Sequence, residues 1–223
     1  MKKTVIILVL AAFTASGVFA QLSFSFGAGT FFDGSFRNGI KSNDHNFWYE
    51  EGKDVISLGA YLFYDASFIE ASVNFGYGFV LKYEKDYFGT IYDYNNDSNF
   101  NYLMVSLCVI GKFPVNIGDS LFYPAAGVEY NMVLASYENG VKEDWGSLSV
   151  SDYLNQYGIL AGIGIDFPLS GAMFLRTQGF INIRFPAKYQ KDLAIVSNFL
   201  NNNSYKTTIG IGPRIKLGFG LKL

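Results

Sequence analysis

The residues that could do chemistry are few. Charged residues make up 16% of this 223-residue chain, and there is one His and one Cys. Six charges stand inside long alternating apolar runs: Glu70, Glu129, Arg176, Arg184, Arg214 and Lys216. Lys112 and Asp166 hold equivalent positions. Charges of both signs in apolar surroundings have two uses. They can neutralise each other as buried pairs, because an unpaired charge in a low-dielectric interior costs several kcal/mol. They can also form the plug of a gated passage.

His45 lies in Ser42-Asn43-Asp44-His45, and Asp97-Ser98 lie in a second polar stretch. A His near Ser and carboxylates is the composition of an acyl-transfer or deacylation site. It is also the composition of an ordinary polar loop, and no triad-like spacing accompanies it, so no catalytic residue is assigned. One His among scattered carboxylates makes no metal site, and nothing points to a cofactor. Cys108 has no partner for an internal disulfide. Its place in the alternation makes it a small apolar filler.

The elements that position these residues are strands. From Tyr205 to Leu223 the chain alternates without a break. Ile209, Ile211, Ile215, Leu217, Phe219 and Leu221 form one set, and Gly210, Gly212, Arg214, Lys216, Gly218 and Gly220 form the other. Successive side chains of a strand point to opposite faces, so one face is oily and the other polar. The run is long enough for a strand tilted across a bilayer, which takes about 9–11 residues. Because lipid cannot satisfy a free backbone edge, such a strand implies a closed barrel.

The same alternation recurs upstream. Leu22–Phe36 sets Phe24, Phe26 and Ala28 against Ser25, Gly27 and Gly29. In Val55–Tyr64 the apolar set is Ile56, Leu58, Ala60, Leu62 and Tyr64, and Ile69–Leu81 sets Ala71, Val73 and Phe75 against Glu70, Ser72 and Asn74. Asn101–Phe113, Leu121–Ala135, Tyr153–Phe167 and Met173–Phe185 follow. The pattern predicts Leu107, Ile163, Ile183 and Ile215 facing lipid, with Asn74, Glu129, Gln178 and Arg214 facing the lumen. About eight strands result, joined alternately by long polar stretches (37–53, 82–99, 136–152, 186–204) and short links (65–67, 114–120, 168–171). Long loops on one side and short turns on the other mark outer-membrane barrels. A β-sandwich has no reason to alternate this way.

No lipid-facing set carries an Asp, Glu, Lys or Arg, each of which costs about 2–4 kcal/mol at midplane for the bases and less for the acids. Tyr64, Phe113, Phe122 and Phe167 mark one aromatic girdle, and Phe79, Tyr130, Tyr157 and Phe185 the other. Pro124 and Pro213 each remove a ladder donor. Pro124 sits near a strand start, whereas mid-strand Pro213 predicts a bulge or a missing bond. The many inward glycines either make room for large neighbours such as Arg176 and Tyr61 or leave a cavity. Lys191–Leu200 is the one apolar loop cluster, either a lid over the barrel mouth or a piece packed on loop aromatics such as Trp48 and Trp145.

Residues 1–20 have the form of an export signal. Lys2 and Lys3 precede the apolar run Thr4–Phe13, and Val18-Phe19-Ala20 is a small-residue cleavage site before Gln21. The run is too short for a spanning helix, which needs about 20 residues. Two domains are therefore expected: a cleaved signal, 1–20, and a barrel, 21–223. Without Lys2 and Lys3, Lys+Arg falls from 17 to 15 against 19 Asp+Glu, a mature charge of 15 − 19 = −4. Neither nucleic acid nor a basic membrane-surface patch is indicated.

Over the mature chain the sequence resembles small eight-stranded outer-membrane proteins of diderm bacteria, broadly the outer-membrane protein W-like and opacity-porin-type group. The topology and alternation carry the resemblance, and no motif transfers functional residues. Barrels of this kind usually end in an aromatic residue on a strand that the insertion machinery reads, and this chain ends in Leu223. The resemblance implies outer-membrane lipid and the barrel assembly machinery, through strand 205–223, as partners. Because the chain stops at that strand, no C-terminal peptidoglycan-binding domain is expected. The expected function is a closed barrel acting through its surface loops in membrane integrity, surface interaction or adhesion. The alternatives are a narrow channel for small or hydrophobic solutes and, more remotely, a lipid-modifying enzyme. Inside the barrel a network centred on Glu129 and Arg214 is expected at mid-height, with Glu70, Arg176 and Lys216 nearer the short turns.

Overall fold

The computed structural model describes residues 23–42, 49–87, 90–93, 100–142, 155–186 and 205–223. The expected export signal, His45, Asp97-Ser98 and the Lys191–Leu200 cluster lie outside these residues. Long strands dominate: β1 (Phe24–Ser42), β2 (Tyr49–Ala66), β3 (Ile69–Tyr87), β4 (Phe100–Lys112), β5 (Ser120–Glu138), β6 (Gln156–Pro168), β7 (Met173–Pro186) and β8 (Gly210–Lys222). Each pairs antiparallel with the next, and β8 pairs with β1, so the sheet closes into an 8-strand barrel. Closure leaves no edge along the wall, which is what a strand with an apolar outer face requires.

Both described ends of the chain meet at one rim. Leu223 N donates to Phe24 O at 2.8 Å, and Ser23 N donates to Ser67 Oγ at 2.9 Å. The short connections at this rim are Ser67–Phe68, 113–119 and 169–172. Ser67 has φ 55° and Gly171 φ 58°, left-handed conformations that reverse the chain within a few residues.

The strands run further than the polar composition of their ends suggests. β1 reaches Ser42 and β2 begins at Tyr49, so most of the expected loop 37–53 is paired hairpin. β3 continues to Tyr87 and β5 to Glu138, into the expected loops 82–99 and 136–152. Short strands at Thr90–Asp93, Val141–Lys142 and Tyr205–Thr208 prolong the sheet beside β3, β5 and β1. Backbone pairing is indifferent to side-chain polarity once a strand has left the bilayer, so polar ends stay in the ladder. Register shifts at Ser35/Asn38, Asp54/Val55 and Leu103/Met104 mark where these ends begin to bend.

Pro213 interrupts the wall as its missing donor requires. Pairing between β1 and β8 runs from Ser25–Lys222 to Asp33–Arg214, then resumes at Phe36–Ile211, with Gly34 and Ser35 left out of this ladder. The register is unchanged across the gap, and on its other side Pro213 still faces Ile181.

Inside and outside alternate as the sequence predicts. Along β8 every residue from Gly210 to Gly220 switches between buried and exposed. Leu107, Ile163, Ile183 and Ile215 are exposed, whereas Asn74, Glu129, Gln178 and Arg214 are buried. Phe75, Ile181 and Phe219 are 50–61% exposed on the bare protein, an apolar surface far larger than a water-facing wall carries. Aromatic pairs stand near the strand ends: Phe24–Tyr64 at 6.1 Å towards the short-turn rim, Tyr130–Tyr157 at 4.9 Å and Tyr77–Phe79 at 5.0 Å towards the other.

The inward glycines are seats for large side chains. A Cβ on Gly218 would lie 2.5 Å from Tyr61 Oη, and one on Gly29 2.7 Å from the Tyr61 ring. Gly220 receives the Phe174 ring, Gly164 the Tyr123 ring, and Gly27 the Phe63 ring. One lumen wall therefore holds the cluster Phe31, Tyr61, Phe63 and Phe174, and the other holds Cys108, Ile110, Tyr123, Ala125, Leu160 and Phe180.

Candidate functional site

Among the described residues, the alternation that faces isoleucines outward brings ten charges inward. Asp33, Asp65, Glu70, Glu129 and Asp166 are buried with Lys112, Arg176, Arg184, Arg214 and Lys216. The acids and bases balance, and every strand contributes at least one.

The charges form two networks rather than one. Nearer the short turns, Arg176 grips three carboxylates. Its Nε and Nη2 donate to Asp166 Oδ1 and Oδ2 at 2.8 and 2.6 Å, Nη1 to Glu70 Oε2 at 2.9 Å, and Nη2 also to Asp65 Oδ2 at 2.6 Å. Lys112 Nζ pairs with Asp65 as well. Asp65 and Glu70 sit directly opposite on β2 and β3. Like charges so placed repel, and the shared guanidinium offsets this. Gln178 Nε2 donates to Glu70 Oε2 at 2.8 Å and to Tyr123 Oη at 3.1 Å. The Arg176 guanidinium also lies 4.4 Å over the Phe63 ring and 5.1 Å over Phe174, so the cation is enclosed by ring faces as well as acids.

The second network is further from the short turns. Arg184 Nε donates to Glu129 Oε1 at 2.9 Å, and its Nη2 pairs with Asp33. Arg214 Nη2 donates to Asp33 Oδ2 at 3.1 Å, and its Nη1 lies 2.5 Å from Glu129 Oε2, a charge contact without hydrogen-bond alignment. Asn182 Nδ2 donates to Asp33 Oδ1 at 2.9 Å, and Asn131 Nδ2 to Glu129 Oε1 at 3.1 Å. Gly158 stands between Glu129 on β5 and Arg184 on β7. A Cβ there would come within 2.7 Å of Glu129 Oε1, so the glycine opens the path by which the two side chains meet.

Lys216 belongs to neither network. Its Nζ donates to Ser72 Oγ at 3.0 Å and lies 4.7 Å over the Tyr61 ring, with no carboxylate within ion-pair distance among the described residues. Of the six charges singled out in the sequence, Glu129, Arg184 and Arg214 meet in one network, Glu70 and Arg176 in the other, and Lys216 stands between them. Four further members complete the networks. Lys112 and Asp166 follow from the alternation. Asp33 shares the parity of Ser25, Gly27 and Gly29, and Asp65 that of Ser57, Gly59 and Tyr61, but the aromatic pair Phe31-Phe32 and the turn-like Asp65-Ala66-Ser67 hide the period. Cys108 is buried and free, packed with Ile110 and Leu160.

A closed antiparallel wall with an apolar outside and a polar, charge-paired inside defines a small β-barrel of the outer-membrane type.

No protein-family model matches the chain, and no curated protein matches it. Solved structures with a similar course include the outer membrane protein OprG of Pseudomonas aeruginosa, at 13% identity and TM-score 0.44, covering 91% of this chain and 96% of that one. A major outer membrane protein of Thermus thermophilus shares 14% identity at TM-score 0.37, covering 90% and 99%. The translocator domain of the autotransporter NalP from Neisseria meningitidis shares 14% at TM-score 0.32, covering 99% and 97%. At these scores no functional inference passes from them to this chain.

Proposed function

We propose that the protein is an integral outer-membrane barrel whose lumen does not conduct. Its work is then done by the connections at the rim opposite the chain ends, in membrane integrity, surface interaction or adhesion. The observation that carries this is the packing of the ion pairs. Arg176 and Glu70 in one network, and Arg214 and Asp33 in the other, are 0–1% exposed. A side chain bare to no water-sized sphere borders no water column, and the glycine-seated rings fill the remaining width. An eight-stranded barrel has an interior just wide enough for its side chains.

The export signal read at residues 1–20 and the apolar belt support the outer membrane as its location. Strand 205–223 is the segment offered to the assembly machinery. Catalysis is not part of this proposal, because no triad-like spacing accompanies the lone His.

Swelling of proteoliposomes tests the reading. Vesicles carrying the protein are expected to swell no faster in a small sugar or amino acid than empty vesicles. Swelling that tracks the amount of folded protein would replace the closed barrel with a narrow channel.

A further inference from the structure

Four of the five buried cations among the described residues stand on two adjacent strands; the fifth, Lys112, is on β4. Arg176 and Arg184 are on β7, and Arg214 and Lys216 are on β8. No buried acid is on either strand; Asp33, Asp65, Glu70, Glu129 and Asp166 come from β1, β2, β3, β5 and β6. Register fixes the order of the four cations along the axis. Lys216 faces Gln178, Arg214 faces Phe180, and Gly210 faces Arg184. Rising from the short-turn rim, the wall of β7 and β8 thus presents Arg176, Lys216, Arg214 and Arg184. The ladder spans the 176–184 stretch of β7, about 26 Å along the strand at 3.3 Å per residue, or about 20 Å along the axis of a barrel with strands tilted about 40°. That is most of a bilayer's apolar thickness.

We propose that the lumen is a latent pathway for small inorganic anions such as chloride. The cation ladder Arg176, Lys216, Arg214 and Arg184 forms its wall, and carboxylates from the other strands hold it shut at neutral pH. The proposal deepens the closed-barrel reading and rests on it. Each carboxylate does two things: it occupies the lumen beside the ladder, and it cancels a cation that an anion would otherwise use. Protonated, the acids lose their hold, and the interior changes from balanced to carrying the charge of Lys112 and the four ladder residues. Among the described residues, the other titratable groups facing the same lumen, Tyr61, Tyr102, Tyr123 and Cys108, are uncharged when protonated and add nothing negative. A pore ringed by Lys and Arg selects anions. Because the two networks share no ion pair, they are shutters in series, and opening one leaves the other closed. Lys216 is the rung without a shutter of its own, so replacing it leaves no carboxylate unpaired within ion-pair distance.

The experiment is planar-bilayer recording of the full protein under a KCl gradient at pH 7, then in steps down to about pH 1, low enough to protonate carboxylates that accept from guanidinium groups, and again at pH 7. Folding at each pH is checked by heat-shifted gel mobility. The expected result is no current steps at pH 7 and reversible steps in acid, with the reversal potential shifted towards the chloride equilibrium potential. Lys216→Met is expected to be folded and silent at pH 7 and to lose anion conductance in acid. A second route avoids acid: Asp33→Ala with Glu129→Ala, or Asp65→Ala with Glu70→Ala, is expected to stay closed, and all four together to open for anions.

Cation-selective or unselective steps would overturn the proposal. So would a Lys216→Met protein indistinguishable from the parent in acid, or silence from folded protein in acid and from the folded fourfold variant alike. Steps from the parent at pH 7 would instead contradict the closed-barrel reading, and their selectivity would still judge the ladder.

Discussion

Asp33 on β1 stands directly opposite Arg214 on β8, so the seam where the first and last strands meet is pinned by an ion pair as well as by its backbone ladder. Asp166 and Arg176 do the same on the other flank of the β7–β8 hairpin. A strand that slips by one residue turns every side chain to the wrong face. A slip by two keeps the faces but separates both of these pairs, so the ion pairs select the register that alternation alone leaves open.

The seam pair is expected to be coupled. Asp33→Ala leaves Arg184 and Arg214 sharing Glu129, and Arg214→Ala leaves two acids on Arg184. Each change should destabilise by about 3–5 kcal/mol, because a buried charge loses its partner. The double replacement leaves the neutral pair Glu129–Arg184 and should cost less than the sum, by about 1 kcal/mol or more. Urea unfolding in lipid vesicles measures all three. Strict additivity would show that the seam pair carries no specific energy.

Gly220 and Phe174 should behave as one packed unit, because the three nearest atoms a Cβ on Gly220 would meet all belong to the Phe174 ring, one at 2.6 Å. Gly220→Val is expected to cost about 1–3 kcal/mol by overpacking. Adding Phe174→Leu should recover part of that loss. A second change that only adds its own cost would mean the ring does not use the glycine as its seat.

On the outer face, Ile215 is half exposed on the bare protein and belongs to the lipid belt. Ile215→Leu should be nearly neutral, whereas Ile215→Arg should cost about 2–4 kcal/mol if the position lies near midplane. The native thiol checks the inner face without mutation. Cys108 should resist a water-soluble maleimide in the folded protein and react fully once unfolded. Rapid labelling of the folded form would place β4 in the wrong register.

Much of this architecture was legible from alternation alone. Ile209 to Leu221 and Ile69 to Leu81 name their own faces, because lipid tolerates no charge on one side and a narrow lumen no unpaired charge on the other. Glu129, Arg214 and Arg176 could be placed inside for the same reason. What stayed hidden depends on partners distant in sequence. Asp33 follows two adjacent aromatics, one on each face, so its period does not show until β8 supplies Arg214. Asp65 looks like part of a turn until β7 supplies Arg176. The separation into two networks, with Lys216 between them, depends on strand stagger, which local pattern does not encode. The polar ends of β1, β2 and β3 read as loops because composition reports solvent exposure, whereas pairing there is a backbone matter.

The closed lumen is tested most directly by the single-channel current of the unmodified protein in a planar bilayer at neutral pH. With folded insertion verified in the same membrane, the expected record is a flat baseline over many insertions. A steady, reproducible conductance step would contradict it, because water and ions would then be passing side chains that the ion-pair networks hold sealed.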